Sequence, residues 1–174
     1  MQALRPALLA LAVLAPAPSR ADLEDEVKAA YLFRFLSYVE WPTSATEGGE
    51  GPFVIGVVGS DEVFAALQQI VRGRLAQGRP VEVRRLEEGE APRGVHMVFV
   101  GRAAAGSLSR LSRQDGVVLV SEIAGALRRG AMVNLVRSQD HVRFEVAPTV
   151  AERKGVRISS RMLAVAERIE MGEP

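Results

Sequence analysis

Apolar positions in this chain recur at two spacings, and the change from one to the other marks the elements. Over residues 24–42, EDEVKAAYLFRFLSYVEWP, the spacing is helical. Val27, Ala30, Tyr31, Phe35, Tyr38 and Val39 fall on one stripe, and Leu32 and Leu36 widen it. Glu24, Asp25 and Glu26 suit a helix N-terminus, and Pro42 is expected to end the helix. A stripe this wide is expected to pack on a sheet; the alternative is a partner protein, with the Trp41 end open to both. Residues 43–51 are polar and Gly-rich, a loop. PFVIGVVG (52–59) is short, rich in β-formers and closed by Gly, a buried strand. Residues 61–73 return to helical spacing through Val63, Ala66, Leu67, Ile70 and Val71, with Ser60 or Asp61 as cap. RLAQGRP reads as a turn, and 80–86 as a strand that Pro80 places at an edge.

Two further apolar strands follow, VHMVFVG (95–101) and DGVVLVSE (115–122), with a modest helix between them over 103–114. A short helix over 123–130 stops at Gly130. Residues 131–147 make two strands about SQD; Val142, Phe144 and Val146 face one side and His141, Arg143 and Glu145 the other. A short helix over 147–155 precedes a last helix, capped by Ser159 or Ser160, with Leu163, Ala166 and Ile169 in register. Strands alternating with helices predict an α/β fold: a single domain, a mainly parallel mixed sheet flanked by helices, and a C-terminal antiparallel hairpin.

The 174 residues fit one domain with one sizeable core. Residues 1–21 carry Arg5, a short apolar run over 7–15, and Ser19 and Ala21 at cleavage-type spacing. They read as a secretory signal, leaving 22–174 as the domain. The 22 basic and 21 acidic residues give +1; losing Arg5 and Arg20 leaves 20 against 21, or −1. A near-neutral chain with scattered basic groups does not point to nucleic acid. With no cysteine, an exported protein has neither disulfide nor thiol switch.

Candidate chemistry is sparse. Gly59, Gly101 and Gly106 follow strands but match no phosphate-binding spacing, so turn geometry explains them. Asp61 stands alone where a phosphoacceptor would need clustered acids, and reads as a cap. His96 lies in an apolar strand and reads as a satisfied core or edge histidine. His141 and Glu145 share a strand face but are too far apart for an evident metal site. No nucleophile has a base near it in sequence, and Ser159–Ser160 read as a cap. The expectation is a non-catalytic exported domain, without cofactor or metal, that binds something.

Two blocks carry a resemblance. VKAAYLFRFLSYVEWP (27–42) resembles the opening of the YfiR-like periplasmic family, and VRFEVAPTVAERKGVRISSRMLAVA (142–166) resembles its closing block. The resemblance implies a periplasmic regulator, often dimeric. Such a protein holds an inner-membrane diguanylate cyclase or sensor kinase inactive through its periplasmic domain, and so lowers cyclic-di-GMP signalling and biofilm formation. It also implies capture by an outer-membrane lipoprotein. Several relatives carry Cys in the first strand where this chain has Gly56, so redox control does not carry over. The Asn that often follows R-F-E-[IV] is Ala147 here. Arg34, Trp41, Arg157, Arg161 and Arg168 lie near these blocks and are the residue types that dominate interfaces, so they are the expected partner contacts. The alternative is a small-ligand-sensing domain with an internal pocket.

Overall fold

A computed structural model describes residues 19–41 and 51–171. The expected leader falls largely outside these residues, as do Pro42 and nearly all of the Gly-rich loop. Among the described residues, eight strands form one mixed sheet. Its parallel centre is β4 (Arg79–Arg85), β2 (Phe53–Val58), β5 (Met97–Val100), β6 (Val118–Ser121) and β7 (Val133–Ser138). β8 (His141–Val146) turns back antiparallel on β7, the expected hairpin. β3 (Leu75–Ala76) closes antiparallel on the start of β4, so the stretch read as a turn is a tight hairpin.

The central strands alternate between two cores. Phe53, Ile55, Val57, Met97, Phe99, Val118 and Val120 point to the face covered by α1 (Arg20–Phe35) and α2 (Asp61–Ile70). Val58, Val98, Val100 and Leu119 point to the other face. That face is covered by a kinked 3-10 segment (Arg102–Ser107), the single turn α3 (Leu108–Leu111) and a 3-10 turn at Leu127–Arg129. The helix expected over 103–114 is thus a 3-10 run and one α-turn. On the same face Leu86 lies against Gly56, where a Cβ would stand 2.6 Å from Leu86 Cδ1.

Three boundaries differ from expectation, each because a long-range pairing wins. α1 starts earlier, where Ser19 and Asp22 form a capping box, and ends at Phe35 rather than Pro42. Val39 and Glu40 leave the helix as β1 (Val39–Glu40), which pairs antiparallel with β9 (Arg157–Ile158) in a separate small sheet. Gln77 Nε2 donates to the carbonyls of Leu36 (2.5 Å) and Val39 (3.1 Å), taking up acceptors freed where the helix stops. The face that α1 buries is also shifted: Lys28, Ala29, Leu32 and Phe35 are inside, whereas Val27 is 43% exposed and Ala30 is exposed.

The last helix is one turn, α5 (Ser160–Leu163), capped by the Ser159 hydroxyl, which accepts from Met162 N–H. Beyond it β10 (Arg168–Ile169) pairs parallel with β8 and closes that edge of the sheet. Between β8 and β9, α4 (Pro148–Arg153) starts with Pro in its first turn, as the missing N–H allows. At the start of α2, Ser60 is the cap, accepting from Val63 N–H, and Asp61 instead pairs with Arg85.

Candidate partner-binding surface

The order β4-β2-β5-β6-β7 reverses direction between β2 and β5, where α/β sheets commonly hold ligands. Here that crevice is filled by backbone. Gly59 has φ +72°, and a Cβ on Gly101 would lie 2.2 Å from Gly59 O. These glycines pack two strand ends together and leave no cradle for a phosphate.

Next to this closed point lies a buried ion cluster. Lys28, 6% exposed, reaches Glu122 at 2.8 Å and both Glu24 and Asp25 at 2.9 Å. Burial alone would push its ammonium down, but hydrogen bonds to Glu122, Asp25 and Glu24 outweigh it and hold Lys28 above the usual lysine range. Glu24 in turn is lowered, chiefly by its hydrogen bond to Lys28. The cluster pins the start of α1 to the end of β6. Arg102 lies 3.8 Å from Glu122 and Arg137 3.7 Å from Glu24, so three cations answer three carboxylates and the cluster serves structure.

The surface of α1 that faces away from the sheet is open. With α2 it forms a groove of about 1030 Å³. Val27, Ala30 and Phe33 come from α1, and Ala65, Ala66 and Ile70 from α2. Arg34 and Arg74 stand at one end, with the Arg74 guanidinium 5.9 Å from the centre of the Phe33 ring. Asp22, Asp25, Glu26 and Glu62 stand at the other end. A smaller cleft of about 380 Å³ is lined by Glu40, Trp41, Glu152, Gly155, Val156 and Arg157.

The five expected contacts therefore do not form one patch. Arg34 lies in the groove. Trp41 and Arg157 share the smaller cleft, where Arg157 is 3.7 Å from Glu40. Arg161 is exposed on α5. Arg168 is on an edge strand rather than a helix, tied to Glu145 at 2.8 Å and Glu170 at 3.4 Å. Trp41 is half-buried: its indole N–H donates to His96 O at 3.0 Å, and its ring packs on Phe53 with centroids 5.1 Å apart. His96 is satisfied, its Nδ1 accepting from Val54 N–H at 3.1 Å. Burial, and secondarily the nearby Arg79, hold its imidazole below the ordinary histidine range.

The groove itself was not singled out by sequence reasoning. Its signal was present in Val27, Ala30 and Phe33, which recur at helical spacing beside the buried stripe. Lys28 was missed because Glu122 is distant along the chain. Among the described residues no group of His, Asp and Glu could hold a metal ion, and no helix is long and apolar enough to cross a membrane.

A family profile described as YfiR/HmsC-like matches residues 25–167. The chain belongs to the YfiR/HmsC-like family. The match runs from α1 to the residue before β10, so it spans seven of the sheet's eight strands, the Trp41 cleft and the α1–α2 groove except Asp22. No curated protein matches the chain. A solved structure, a conserved domain protein from Vibrio cholerae O1 biovar El Tor, is similar with a TM-score of 0.49 and 12% identity. The alignment covers 84% of this chain and 60% of that one, so this chain spans less than two thirds of that protein.

Proposed function

We propose that this chain is a periplasmic regulatory binding protein. It restrains a membrane diguanylate cyclase or sensor kinase through that enzyme's periplasmic domain and lowers cyclic-di-GMP signalling. The observation that carries this reading is the family match over residues 25–167. The open groove supports it, because an apolar helical surface of this size on a domain with an otherwise closed core suits a protein partner. Residues 1–21 direct export, and the domain begins at Asp22. Arg34, in the groove, and Trp41 with Arg157, in the cleft, are the contacts we retain; Arg161 and Arg168 are placed outside both.

The mechanism is a population shift. The regulator binds the resting form of the partner's periplasmic domain more tightly than the active form. It biases the equilibrium by that difference in affinity and by nothing else. Deleting the gene in its own host is expected to raise cyclic-di-GMP and biofilm. A pull-down from membrane extract is expected to return a cyclase or kinase. Unchanged cyclic-di-GMP in the deletion strain, or a small molecule and no membrane protein in the eluate, would overturn the reading. A homodimer and an outer-membrane lipoprotein partner, both implied by the family resemblance, are read in the same experiment.

A further inference from the structure

The α1–α2 groove has a direction. Lys28 and Glu24 place the start of α1 beside Glu122 at the end of β6, and α2 starts at Ser60, just beyond the end of β2. At its other end α1 leads to Trp41, which packs on His96 at the opening of β5. The two helices therefore run side by side in the same sense, and their backbone dipoles add rather than cancel. The charges repeat this polarity. Asp22, Asp25, Glu26 and Glu62 gather at the N-terminal ends, and Arg34 and Arg74 at the C-terminal ends. Between them the floor is small and apolar, with Ala30, Ala65 and Ala66 allowing a backbone to come close.

An ordinary helix carries acids in its first turn and bases in its last. Such a helix fits this groove in one sense only, antiparallel to both α1 and α2. Its basic end then meets the carboxylates of Asp22, Glu26 and Glu62, Asp25 being held by Lys28 at 2.9 Å, and its acidic end meets the two guanidinium groups. The length of the site is that of α1 from Asp22 to Phe35, 14 residues or ~21 Å. A second copy of this chain matches less well. Laid antiparallel, a copy would set three carboxylates, those of Asp22, Glu26 and Glu62, against two guanidinium groups at each end, an unequal match.

We propose that the α1–α2 groove is the docking site for one amphipathic helix of the membrane partner, laid antiparallel to α1 and α2 and carrying a surplus of Lys or Arg at its C-terminal end. This rests on the regulatory reading above and names the surface and the partner chemistry for it. Helix-in-groove recognition uses apolar anchors on successive turns, which Val27, Phe33 and Ile70 are placed to receive.

The test uses the full chain and two stapled helical peptides of α1's length, identical in composition. One carries Glu in its first turn and Lys in its last, and the other has these charges exchanged. Fluorescence anisotropy is expected to show the first binding at least tenfold more tightly than the second, with the preference reduced or reversed in Arg34→Glu/Arg74→Glu. Equal affinity for the two peptides, or no saturation up to about 1 mM, overturns the proposal. So does sedimentation showing that the wild type is a dimer and Ala30→Arg a monomer, since the groove is then filled by a second copy. The two readings fail separately. If Ala30→Arg still lowers cyclic-di-GMP in the deletion strain, the groove proposal falls and the regulatory reading stands. If the wild type does not lower it there, the regulatory reading falls, whatever the peptides do.

Discussion

The two faces of α1 differ more than their sequences suggest. The inner face carries Lys28, Ala29, Leu32 and Phe35, and each is spent on the fold. Lys28 holds three carboxylates, and Phe35 packs edge-on against Phe144 with centroids 5.1 Å apart. The outer face carries Glu26, Val27, Ala30, Phe33 and Arg34, and its apolar groups line an open groove. A charge six residues from another on one helix is thus a fastener in one case and lines an open groove in the other. The lesson is that residue type does not separate the two roles; the direction of the side chain does.

Substitutions that break the inner face should cost stability, and those on the outer face should cost only binding. The largest effect is expected for Lys28→Met. It leaves the buried Glu122 with only the more distant Arg102, at 3.8 Å, and should lower unfolding free energy by about 3–5 kcal/mol in urea denaturation. Adding Glu122→Gln should recover part of that loss, since the two act as one unit. Leu32→Ala follows, at about 2–5 kcal/mol, from lost burial and the cavity left behind.

How far the sequence could be read follows the same division. The strands were legible because both faces of the sheet are covered, so β2, β5 and β6 stand out as short apolar runs. The hairpin β7–β8 was legible from its alternation and its SQD turn. The ends of α1 were not. Val39 continues the helical stripe, yet it pairs with Ile158, a partner that no local pattern reveals. Likewise Arg168 and Ile169 read as helix until the free edge of β8 takes them as a strand. Trp41 and Arg157, far apart in sequence, meet in one cleft, whereas Arg161 and Arg168, expected on the same grounds of residue type and nearness to the family blocks, lie outside it.

A smaller effect concerns acid. The folded-state pKa of His96 is lowered, so the stability that its neutral ring contributes is present above about pH 6.5 and is lost as pH falls from there through the lowered value. Trp41, the only tryptophan, packs edge-on to this ring with centroids 6.0 Å apart and reports unfolding by fluorescence. The step in stability below neutral pH is expected to disappear in His96→Gln; a step of equal size there would assign it to other groups.

The smallest effects on stability are expected on the outer face. Ala30→Arg and Arg34→Glu should change unfolding free energy by no more than about 0.5 kcal/mol. Larger losses would mean that this face is part of the core packing and that the division of α1 is wrong.

The most direct test puts the outer-face variant back into its host. In a strain lacking the gene, cyclic-di-GMP is measured with wild-type chain, with Ala30→Arg, and with neither, after both proteins are shown to be folded and equally abundant in the periplasm. The expected result is a high level without the protein, a low level with wild type and a high level with Ala30→Arg. Equal levels with the wild type and with no protein, or a low level with Ala30→Arg, would contradict a regulator that works through the open face of its first helix.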